Sequence, residues 1–356
     1  MSMKAVGEKR TLLLFAYEFN PESMIFAHQF KVITELSSSF ERVVLIVNSS
    51  KNDSRLPSNI KIYELKWGQS FLLFSIFRLY LFFFKTVISS KPDVIFSFMT
   101  ETHAALISPF SKILGIRHVL WYAHVATPTR LKIAKFFVDR ILTSTPDSIS
   151  FSSRKVIPIG QMIDDADFPW HENRDYSRKE NWIHVGRIDP SKNIDFLIET
   201  FLAFQLVNRK MTLTLVGLST PKYIYYENYL KKKYQSAIEV GTVIFLGRKT
   251  AKEISKLLHK SDLFFHAFEG SLDKSLIEAT FSGVTVVTKN LSYLREFGPL
   301  SVPFSKNPSY LHQEIENWLN HNPEYLRDVA EKRRLIASKF HSFANWILKV
   351  EHELLA

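Results

Sequence analysis

The stretch W-I-H-V-G-R-I-D-P-S-K-N, residues 182–193, decides the fold prediction for this chain. A short apolar run ends at Gly186, Arg187 follows at once, and Lys192 stands just before an apolar helical pattern that starts at Ile194. Glycine lets a ligand approach the backbone, and the first N–H groups of a helix lack partners within the helix. A strand that leads through two cations into a helix therefore predicts a diphosphate site, although a plain strand–helix turn with two surface cations fits the same letters.

A second candidate anion site, G-S-L-D-K-S-L-I-E-A, covers residues 270–279. A flexible loop opens a helix there, so free N–H groups and the positive end of the helix dipole point outward. Lys274 adds positive charge, Asp273 could accept hydrogen bonds from sugar hydroxyls, and the anionic Glu278 suits ribose hydroxyls rather than phosphate. The alternative makes Ser271 or Asp273 an ordinary helix cap and Glu278 a solvated residue. The candidate binding residues of this segment are Gly270, Ser271, Leu272, Asp273, Lys274 and Glu278.

Other strand ends supply further candidates. A strand runs into Gly247, where backbone groups near Leu246 and Arg248 could contact a nucleobase edge, and another strand stops at Gly217. His124 lies just past an apolar strand, and α/β sheets place functional groups beyond the carboxyl ends of their strands. A single histidine at such a position can equally be structural.

Length and composition bound the class of protein. A chain of 356 residues suits two domains, and 46% hydrophobic residues indicate a globular protein. Cysteine is absent, which excludes disulfides and thiolate metal sites. The sequence contains no H-E-x-x-H, no D-x-D sugar-nucleotide motif and no histidine cluster, so we predict neither a metal nor another cofactor. The first ten residues lack the pattern of a signal peptide, which predicts a cytoplasmic protein.

Positive charge is concentrated in the first half of the chain. The formal net charge is +11, and residues 61–135 contribute +7 of it, from ten basic and three acidic residues mixed with many apolar ones. No zinc finger, arginine-rich arm or RNA-recognition signature accompanies this charge, so nucleic acid is not an expected partner. An anionic membrane surface or an anionic lipid-linked substrate fits the mixture better, and a solvated basic face without a partner is the alternative.

Alternating strand and helix patterns predict an α/β protein with two doubly wound parallel sheets. We expect a first domain over residues 1–165 on the acceptor and membrane side, and a second, donor-binding domain over residues 182–339. The charged, aperiodic segment 166–181 is the predicted linker. A C-terminal helix over about residues 340–356 is expected to pack back on the first domain, and the two domains to face each other across a cleft that holds the ligands.

The segment Phe71–Ile88 is unusually apolar. Its polar residues are Ser75, Arg78, Lys85 and Thr86, and two charges within eighteen residues argue against a membrane span. As a helix, so wide an apolar surface is either buried on two sides or seated in a lipid interface. The surrounding positive charge favours the interface.

These residues together resemble glycosyltransferase family 4 (group 1), the retaining nucleotide-sugar glycosyltransferases of GT-B fold with two Rossmann-like domains. The resemblance covers most of the chain and is most specific in the second half. The segments that carry it are residues 184–201, 243–248 and 270–287, with 120–124, 142–148 and 155–164 in the first half.

The resemblance implies roles for several residues. Arg187 and Lys192 would bind the donor diphosphate, Glu278 would hold the ribose as the second glutamate of the family's E-x7-E motif, and His124 would lie near the transferred sugar. The chain departs from that motif because Gly270 occupies the position of the first glutamate and Glu269 comes one residue too early. Asp273 could share that role. The expected catalytic residues are His124, Arg187, Lys192 and Asp273. The expected donor-binding residues are Arg187 and Lys192 again, with Gly186, Gly217, Leu246, Arg248 and the six candidates named above, Gly270, Ser271, Leu272, Asp273, Lys274 and Glu278.

The expected function is that of a retaining, metal-independent hexosyltransferase. It would move a sugar from a nucleoside-diphosphate sugar to a glycan or lipid-linked saccharide, in bacterial surface polysaccharide synthesis, in the cytoplasm or on the inner face of the cell membrane. Stabilisation of the departing diphosphate by cations and helix-end amides would supply most of the catalysis. Two alternatives stay open: a nucleotide-sugar epimerase or hydrolase on the same scaffold, and a non-catalytic membrane adaptor.

Overall fold

The computed structural model describes residues 10–23, 26–51, 56–67, 71–124, 126–205 and 210–356. The chain divides into two compact units. The first contains the described residues up to Gly160 together with Trp346–Ala356, and the second contains Gln161–Asn345.

The first unit is built on short parallel strands. Its strands are β1 (Thr11–Phe15), β2 (Glu18–Phe19), β3 (Arg42–Val47), β4 (Ser49–Ser50), β5 (Ile60–Glu64), β6 (Val94–Phe98), β7 (Arg117–Trp121), β8 (Arg140–Thr143) and β9 (Val156–Pro158). Its helices are α1 (Ala27–Ser37), α2 (Leu72–Ser90), α3 (Glu101–Ile113) and α4 (Thr129–Phe137).

The main sheet of the first unit has the strand order β5-β3-β1-β6-β7-β8-β9, with every pairing parallel. The order runs one way from β1 to β5 and then reverses from β6 onward, which is the doubly wound arrangement. Each of β1, β3, β6 and β7 is almost wholly buried, because layers on both faces of a parallel sheet leave no side of a strand to solvent.

Helices α2, α3 and α4 cover one face of this sheet. Leu79 and Phe83 of α2 share a core with Phe15 of β1, and Leu131 of α4 shares a core with Leu120 of β7. Phe15 and Leu120 both align with Ser97 of β6 in the strand register, so their side chains point to the same face. The outer surfaces of the three helices therefore lie on one side of the unit.

The second unit repeats the design with a smaller sheet. Its strands are β10 (Asn181–Val185), β11 (Thr212–Val216), β12 (Val243–Gly247), β13 (Leu263–His266) and β14 (Thr285–Thr288). They pair in parallel in the order β12-β11-β10-β13-β14, again doubly wound. Its helices are α5 (Ile194–Gln205), α6 (Ile224–Lys233), α7 (Gln235–Glu239), α8 (Ala251–Lys260), α9 (Lys274–Phe281), α10 (Leu291–Phe297), α11 (Pro308–Leu319) and α12 (Pro323–His341).

Two hydrophobic cores lie on opposite faces of the second sheet. Trp182 of β10 belongs to the core shared with α5 and α11, whereas its neighbour Ile183 belongs to the core shared with α9 and α10. Successive residues of a strand point to opposite faces, so this alternation shows that helices cover both sides. The last helix, α13 (Phe343–Leu355), places Trp346 against the rings of Phe98 and Trp121 in the first unit.

Several details differ from the sequence expectations. Residues 166–181, expected as a linker, pack into the second unit, where Phe168, Arg174 and Tyr176 are buried. The two terminal nitrogens of the Arg174 guanidinium donate to the carbonyls of Ser261 and Leu258. A charged, aperiodic segment can still be core when its few large side chains find partners, and those partners lie far away in sequence.

Candidate functional site

Three neighbouring strands of the second unit end at glycine on the same edge of the sheet. Gly186 follows β10, Gly217 follows β11, and Gly247 ends β12. The Gly186 N–H donates to Val216 O over 2.9 Å, and the Gly217 N–H donates to Gly247 O over 2.9 Å. This edge, which we call the carboxyl edge, therefore lacks side chains at three adjacent strand ends and leaves backbone open to a ligand.

Gly217 is required by its surroundings. Its φ is +143°, and a Cβ at this position would come within 1.8 Å of the Gly186 carbonyl oxygen. A Cβ on Gly186 would approach Nε2 of His184 to 2.9 Å. The close packing of β10 and β11 at the carboxyl edge thus depends on glycine at residue 217.

Lys192 and Asp273 form a largely buried ion pair beside this edge. Lys192 ends a short 3-10 turn after β10, and Asp273 immediately precedes α9. The Lys192 Nζ also lies 3.8 Å from the centre of the Phe268 ring, a cation–π contact. The two candidate segments of the sequence therefore meet through this pair, which joins residues 81 positions apart.

His266 extends the pair into the sheet. It is the last residue of β13 and fully buried, with Nε2 3.2 Å from Asp273 Oδ2 and Nδ1 2.8 Å from Thr288 Oγ1. Burial lowers the pKa of His266, while Asp273 opposes that shift. The chain Thr288–His266–Asp273–Lys192 fixes the orientation of the carboxylate and the ammonium group.

The ionisation of this network follows from its contacts. Burial alone would raise the pKa of Asp273, but the His266 hydrogen bond and the Lys192 charge hold it well below its usual range. Burial lowers the pKa of the adjacent His184 to about 3, so that its imidazole is neutral. His184 Nδ1 contacts Phe265 O at 3.0 Å, while Nε2 lacks a hydrogen-bond partner among the described residues.

Asn290 holds the loop before α9 in place. Its Nδ2 donates to the carbonyls of Phe268, Gly270 and Ser271 at 3.0–3.2 Å, and its Oδ1 accepts from the Tyr293 N–H. The side chain is fully buried. The buried amide therefore fixes the direction of three carbonyls of the loop.

The start of α9 carries the other predicted residues of this segment. Glu278 is buried, and burial raises its pKa while Lys274, at 3.8 Å, opposes the rise. Leu272 is buried, and its carbonyl accepts from Gln161 Nε2. Glu269, one position short of the family motif, is largely exposed and pairs with Lys289 at 3.1 Å. Asp273, not Glu269, is the acid beside Lys192.

Arginine side chains lie on the solvent side of the carboxyl edge. Arg187 is 65% exposed, with Nε 3.5 Å from Asp189 Oδ2. Arg248, after β12, is exposed, and Leu246 is half-buried. An exposed guanidinium after a strand end can donate to an anionic ligand bound at this edge.

His124 belongs to the first unit, beyond the end of β7. It is exposed, with its ring 5.7 Å from that of Tyr122. At the same edge of that sheet, the Arg130 guanidinium donates to Glu101 Oε1 over 2.7 Å, and Glu101 is buried. Sequence analysis did not single out this charged pair.

The structure brings most of the predicted second-half residues to one edge and adds three. Gly186, Lys192, Gly217, Asp273 and the start of α9 share the carboxyl edge of the second sheet. The added residues His266, Phe268 and Asn290 contact this set. His266 ends a buried strand, the same signal that singled out His124, whereas nothing in the local sequence marks Asn290. In the part of the chain that the structure describes, no three His, Asp or Glu side chains are grouped as a metal site would require.

Comparisons with known proteins agree with this geometry. Residues 179–320 match the family model "Glycosyl transferases group 1". Comparison with curated protein sequences finds no match.

Several solved structures share the fold. Anabaena Alr3699/HepE, in complex with UDP and glucose, is 15% identical over 97% of this chain and 99% of its own, with a TM-score of 0.71. Sucrose-phosphate synthase from Thermosynechococcus elongatus is 14% identical over 97% and 98% of the two chains, with a TM-score of 0.72. The lipopolysaccharide outer core galactosyltransferase WaaB is 12% identical over 96% and 98%, with a TM-score of 0.66. The chain therefore has the GT-B fold of two Rossmann-like domains, and residues 179–320 of its second unit are similar to group 1 glycosyltransferases.

Proposed function

We propose that this protein is a retaining hexosyltransferase whose second unit binds a nucleoside-diphosphate sugar. The observation that carries the proposal is the carboxyl edge, where three glycine-ended strands, the buried Lys192–Asp273 pair and the start of α9 converge. Exposed backbone, fixed positive charge and a helix N-terminus are together suited to a diphosphate. Alr3699/HepE, a structure of the same fold, is in complex with UDP-glucose.

The proposed reaction needs no group beyond the two substrates. The bond from the sugar C1 to the diphosphate oxygen breaks, and a bond from C1 to an acceptor hydroxyl oxygen forms on the same face. The hydroxyl proton passes to the leaving diphosphate. Arg187, Lys192 and Lys274 would stabilise the charge that grows on the leaving group, so we propose that transfer is metal-independent. Asp273, an anion near phosphates, would accept hydrogen bonds from sugar hydroxyls, and Glu278 from the ribose.

The proposed acceptor is a glycan or a lipid-linked saccharide bound by the first unit. His124 and the Glu101–Arg130 pair, at the carboxyl edge of the first sheet, offer polar groups to such a hydroxyl-rich ligand. We further propose a cytoplasmic location, on the inner face of the membrane, and a role in bacterial surface polysaccharide synthesis. The basic, apolar character of residues 61–135 supports an acceptor that is presented at a membrane.

The test of donor binding is calorimetric titration of the protein with UDP-, GDP-, ADP- and CMP-sugars. Arg187→Ala is the informative variant because its side chain is exposed and its loss leaves the fold intact. Arg178→Ala is the matched control, since Arg178 stands before the other end of β10, 3.7 Å from Asp262 and 48% exposed. We expect one donor to bind and Arg187→Ala to weaken it about tenfold or more, with Arg178→Ala unchanged. Equal loss in both variants, or no binding of any donor, would contradict the proposed donor site.

Product analysis separates the transferase from an epimerase or hydrolase. The donor that binds is incubated with the protein, with and without saccharide acceptors, and nucleotide release and sugar products are measured. Acceptor-dependent release with an unchanged anomeric configuration in the product is the expected result. Release of free sugar at the same rate without acceptor would favour a hydrolase, and a changed donor sugar without nucleotide release would favour an epimerase.

A further inference from the structure

Helix α2 of the first unit presents an apolar face to solvent. The face follows the helical spacing of 3 to 4 residues, so its members lie on one stripe. Its residues are Leu73, Phe74, Phe77, Leu81, Phe84, Lys85 and Ile88, all exposed. By the rise of an α-helix, this outward face runs for about 22 Å.

The opposite face of α2 contains polar residues. Ser75 and Thr86 are buried beside Leu79 and Phe83, and Thr86 Oγ1 lacks a hydrogen-bond partner among the described residues. A helix on the surface of a soluble domain normally turns its polar side chains outward. Helix α2 instead buries two hydroxyl side chains and turns large apolar side chains outward, which exposure to water alone does not explain.

Further exposed apolar side chains lie on the neighbouring helices. Ile113, at the end of α3, and Phe136, on α4, are both strongly exposed, and these helices cover the same side of the sheet as α2. Monomeric soluble proteins rarely expose contiguous apolar patches larger than a few hundred Å², and larger ones mark contact with a partner or a membrane.

The charges around this face are positive. Lys85 lies within the stripe, Lys91 follows the end of α2, and Lys132 is exposed on α4. The three acids of segment 61–135 have partners elsewhere: Glu64 accepts from Ser50, Asp93 from the Thr11 N–H, and Glu101 from Arg130. An apolar stripe with basic residues matches a layer of acyl chains beneath anionic headgroups, because cations add attraction to the buried apolar area.

Helix α2 is long and apolar enough to cross a bilayer by length and composition alone. Its packing argues against a span, because Leu79 and Phe83 are fully buried in the core beneath the sheet. A spanning helix would have to leave that core and expose it. A helix that keeps one face on its own sheet can offer the other to the membrane surface.

We propose that the outward face of α2 seats this protein in the interface of an anionic bilayer, with Phe74, Phe77 and Leu81 among the acyl chains and Lys85 and Lys91 at the headgroup phosphates. This inference does not depend on the proposed transfer reaction, because binding to lipid requires neither donor nor acceptor.

The first test is co-sedimentation with vesicles of phosphatidylcholine alone and of phosphatidylcholine mixed with phosphatidylglycerol. The test variant is Phe74→Ser/Phe77→Ser/Leu81→Ser. The matched control is Ile224→Ser/Leu291→Ser/Leu335→Ser, three exposed apolar residues of the second unit. We expect wild type and control to bind the anionic vesicles, and the test variant to bind them about tenfold or more weakly. Phosphatidylcholine alone should bind less in every case.

A second measurement, fluorescence of a single label, changes only one residue of the outward face of α2. Because the chain has no cysteine, Phe77→Cys and Leu335→Cys each create a unique thiol for an environment-sensitive fluorophore. These two positions are 60% and 70% exposed. We expect anionic vesicles to shift the emission of the label at residue 77 to the blue and to leave the label at residue 335 unchanged.

The proposal fails if the test variant binds vesicles as well as wild type does, or if the label at residue 77 does not respond. It also fails if wild type ignores vesicles and instead forms a dimer that the test variant abolishes, since a second copy would then cover the face. Thermal unfolding of each variant checks that the fold is retained. Loss of fold in the triple variant leaves the labelling experiment to decide.

Discussion

Helix α2 in the first unit and helix α8 in the second occupy the same place in their folds. Each leads from one outer strand of its sheet back to the centre, α2 from β5 to β6 and α8 from β12 to β13. Helix α8 begins with a capping box formed by Thr250 and Glu253 and turns Lys252, Glu253 and Lys256 to solvent. Helix α2 begins after Phe71, whose side chain cannot cap, and turns phenylalanines to solvent.

The difference shows that the fold itself does not require the apolar face of α2. The same crossover in the second unit is made by an ordinary surface helix, so the topology gives no reason for exposed phenylalanines on α2. The second unit concentrates its unusual features elsewhere, in the glycines and the buried ion pair of the carboxyl edge. The unusual feature of the first unit is thus the exposed apolar face of one helix, and that of the second unit is the carboxyl edge of its sheet. Four predictions test this contrast.

The largest effect is expected at the sheet edge. Gly217→Ala would drive a Cβ into the Gly186 carbonyl oxygen, so we expect the free energy of unfolding to fall by more than about 4 kcal/mol. Gly241→Ala is the control, because its φ is +76° with nothing within 4 Å of a Cβ, and it should lose only about 1 kcal/mol. Urea unfolding measures both. Equal losses of unfolding free energy in the two variants would mean that the backbone near residue 217 shifts to make room for the Cβ.

The two sides of α2 should respond very differently. Phe83→Ala removes a fully buried ring and should lower the free energy of unfolding by about 3 to 4 kcal/mol. Phe77→Ala, on the exposed side, should change it by less than about 0.5 kcal/mol. A loss at Phe77 as large as that at Phe83, measured by urea unfolding without lipid, would show that protein already covers the face.

The buried Lys192–Asp273 pair of the second unit should contribute to the free energy of unfolding, and this contribution should decrease at acid pH. Lys192→Met leaves Asp273 without its cation and should lower the free energy of unfolding by about 2 kcal/mol at neutral pH, less than for a fully enclosed pair because part of the carboxylate reaches solvent. Lys274→Met is the matched control, since Lys274 lies 3.8 Å from Glu278 and is mostly exposed, and should cost less than about 0.5 kcal/mol.

The sign of the pH dependence follows from the direction of the shift. The pKa of Asp273 is lowered in the folded state, so on acidification the unfolded chain takes up its proton first. The stability that the pair contributes is complete above the ordinary pKa of about 4 and is lost as the pH falls below it. Urea midpoints from neutral to acid pH should therefore fall more steeply for wild type than for Lys192→Met. Parallel curves would contradict the role of Lys192 in holding the carboxylate ionised.

The smallest effect concerns the helix starts. Thr250→Ala removes the capping box of α8 and should lower the free energy of unfolding by about 1 kcal/mol. Phe71→Ser supplies α2 with a capping side chain and should raise it by several tenths of a kcal/mol in the absence of lipid. If Phe71→Ser also weakens vesicle binding, then the exposed Phe71 ring contributes to binding lipid at the cost of a helix cap.

Much of the fold follows from local patterns in the sequence. Strands 42–47, 94–98, 212–216, 263–266 and 285–288 are short runs rich in β-branched or aromatic residues, and helix 194–205 follows the apolar helical pattern that starts at Ile194. Strand β5 and helix α10 are short, and the sequence patterns described above do not indicate them. Short elements of mixed composition carry too little periodicity to be recognised.

The sequence by itself determined the alternation of strands and helices, the glycines that end three strands and the cations that follow them, since each is legible within a dozen residues. Only the tertiary structure decided that Lys192 meets Asp273 and that Asn290 holds the loop beside them. Those contacts join distant residues across a sheet edge. The same holds for α2, whose letters predict a helix that is apolar nearly all round. Which face is covered depends on where its sheet lies, and the sheet covers Ser75, Thr86 and Phe83 and leaves Phe74, Phe77 and Phe84 outside.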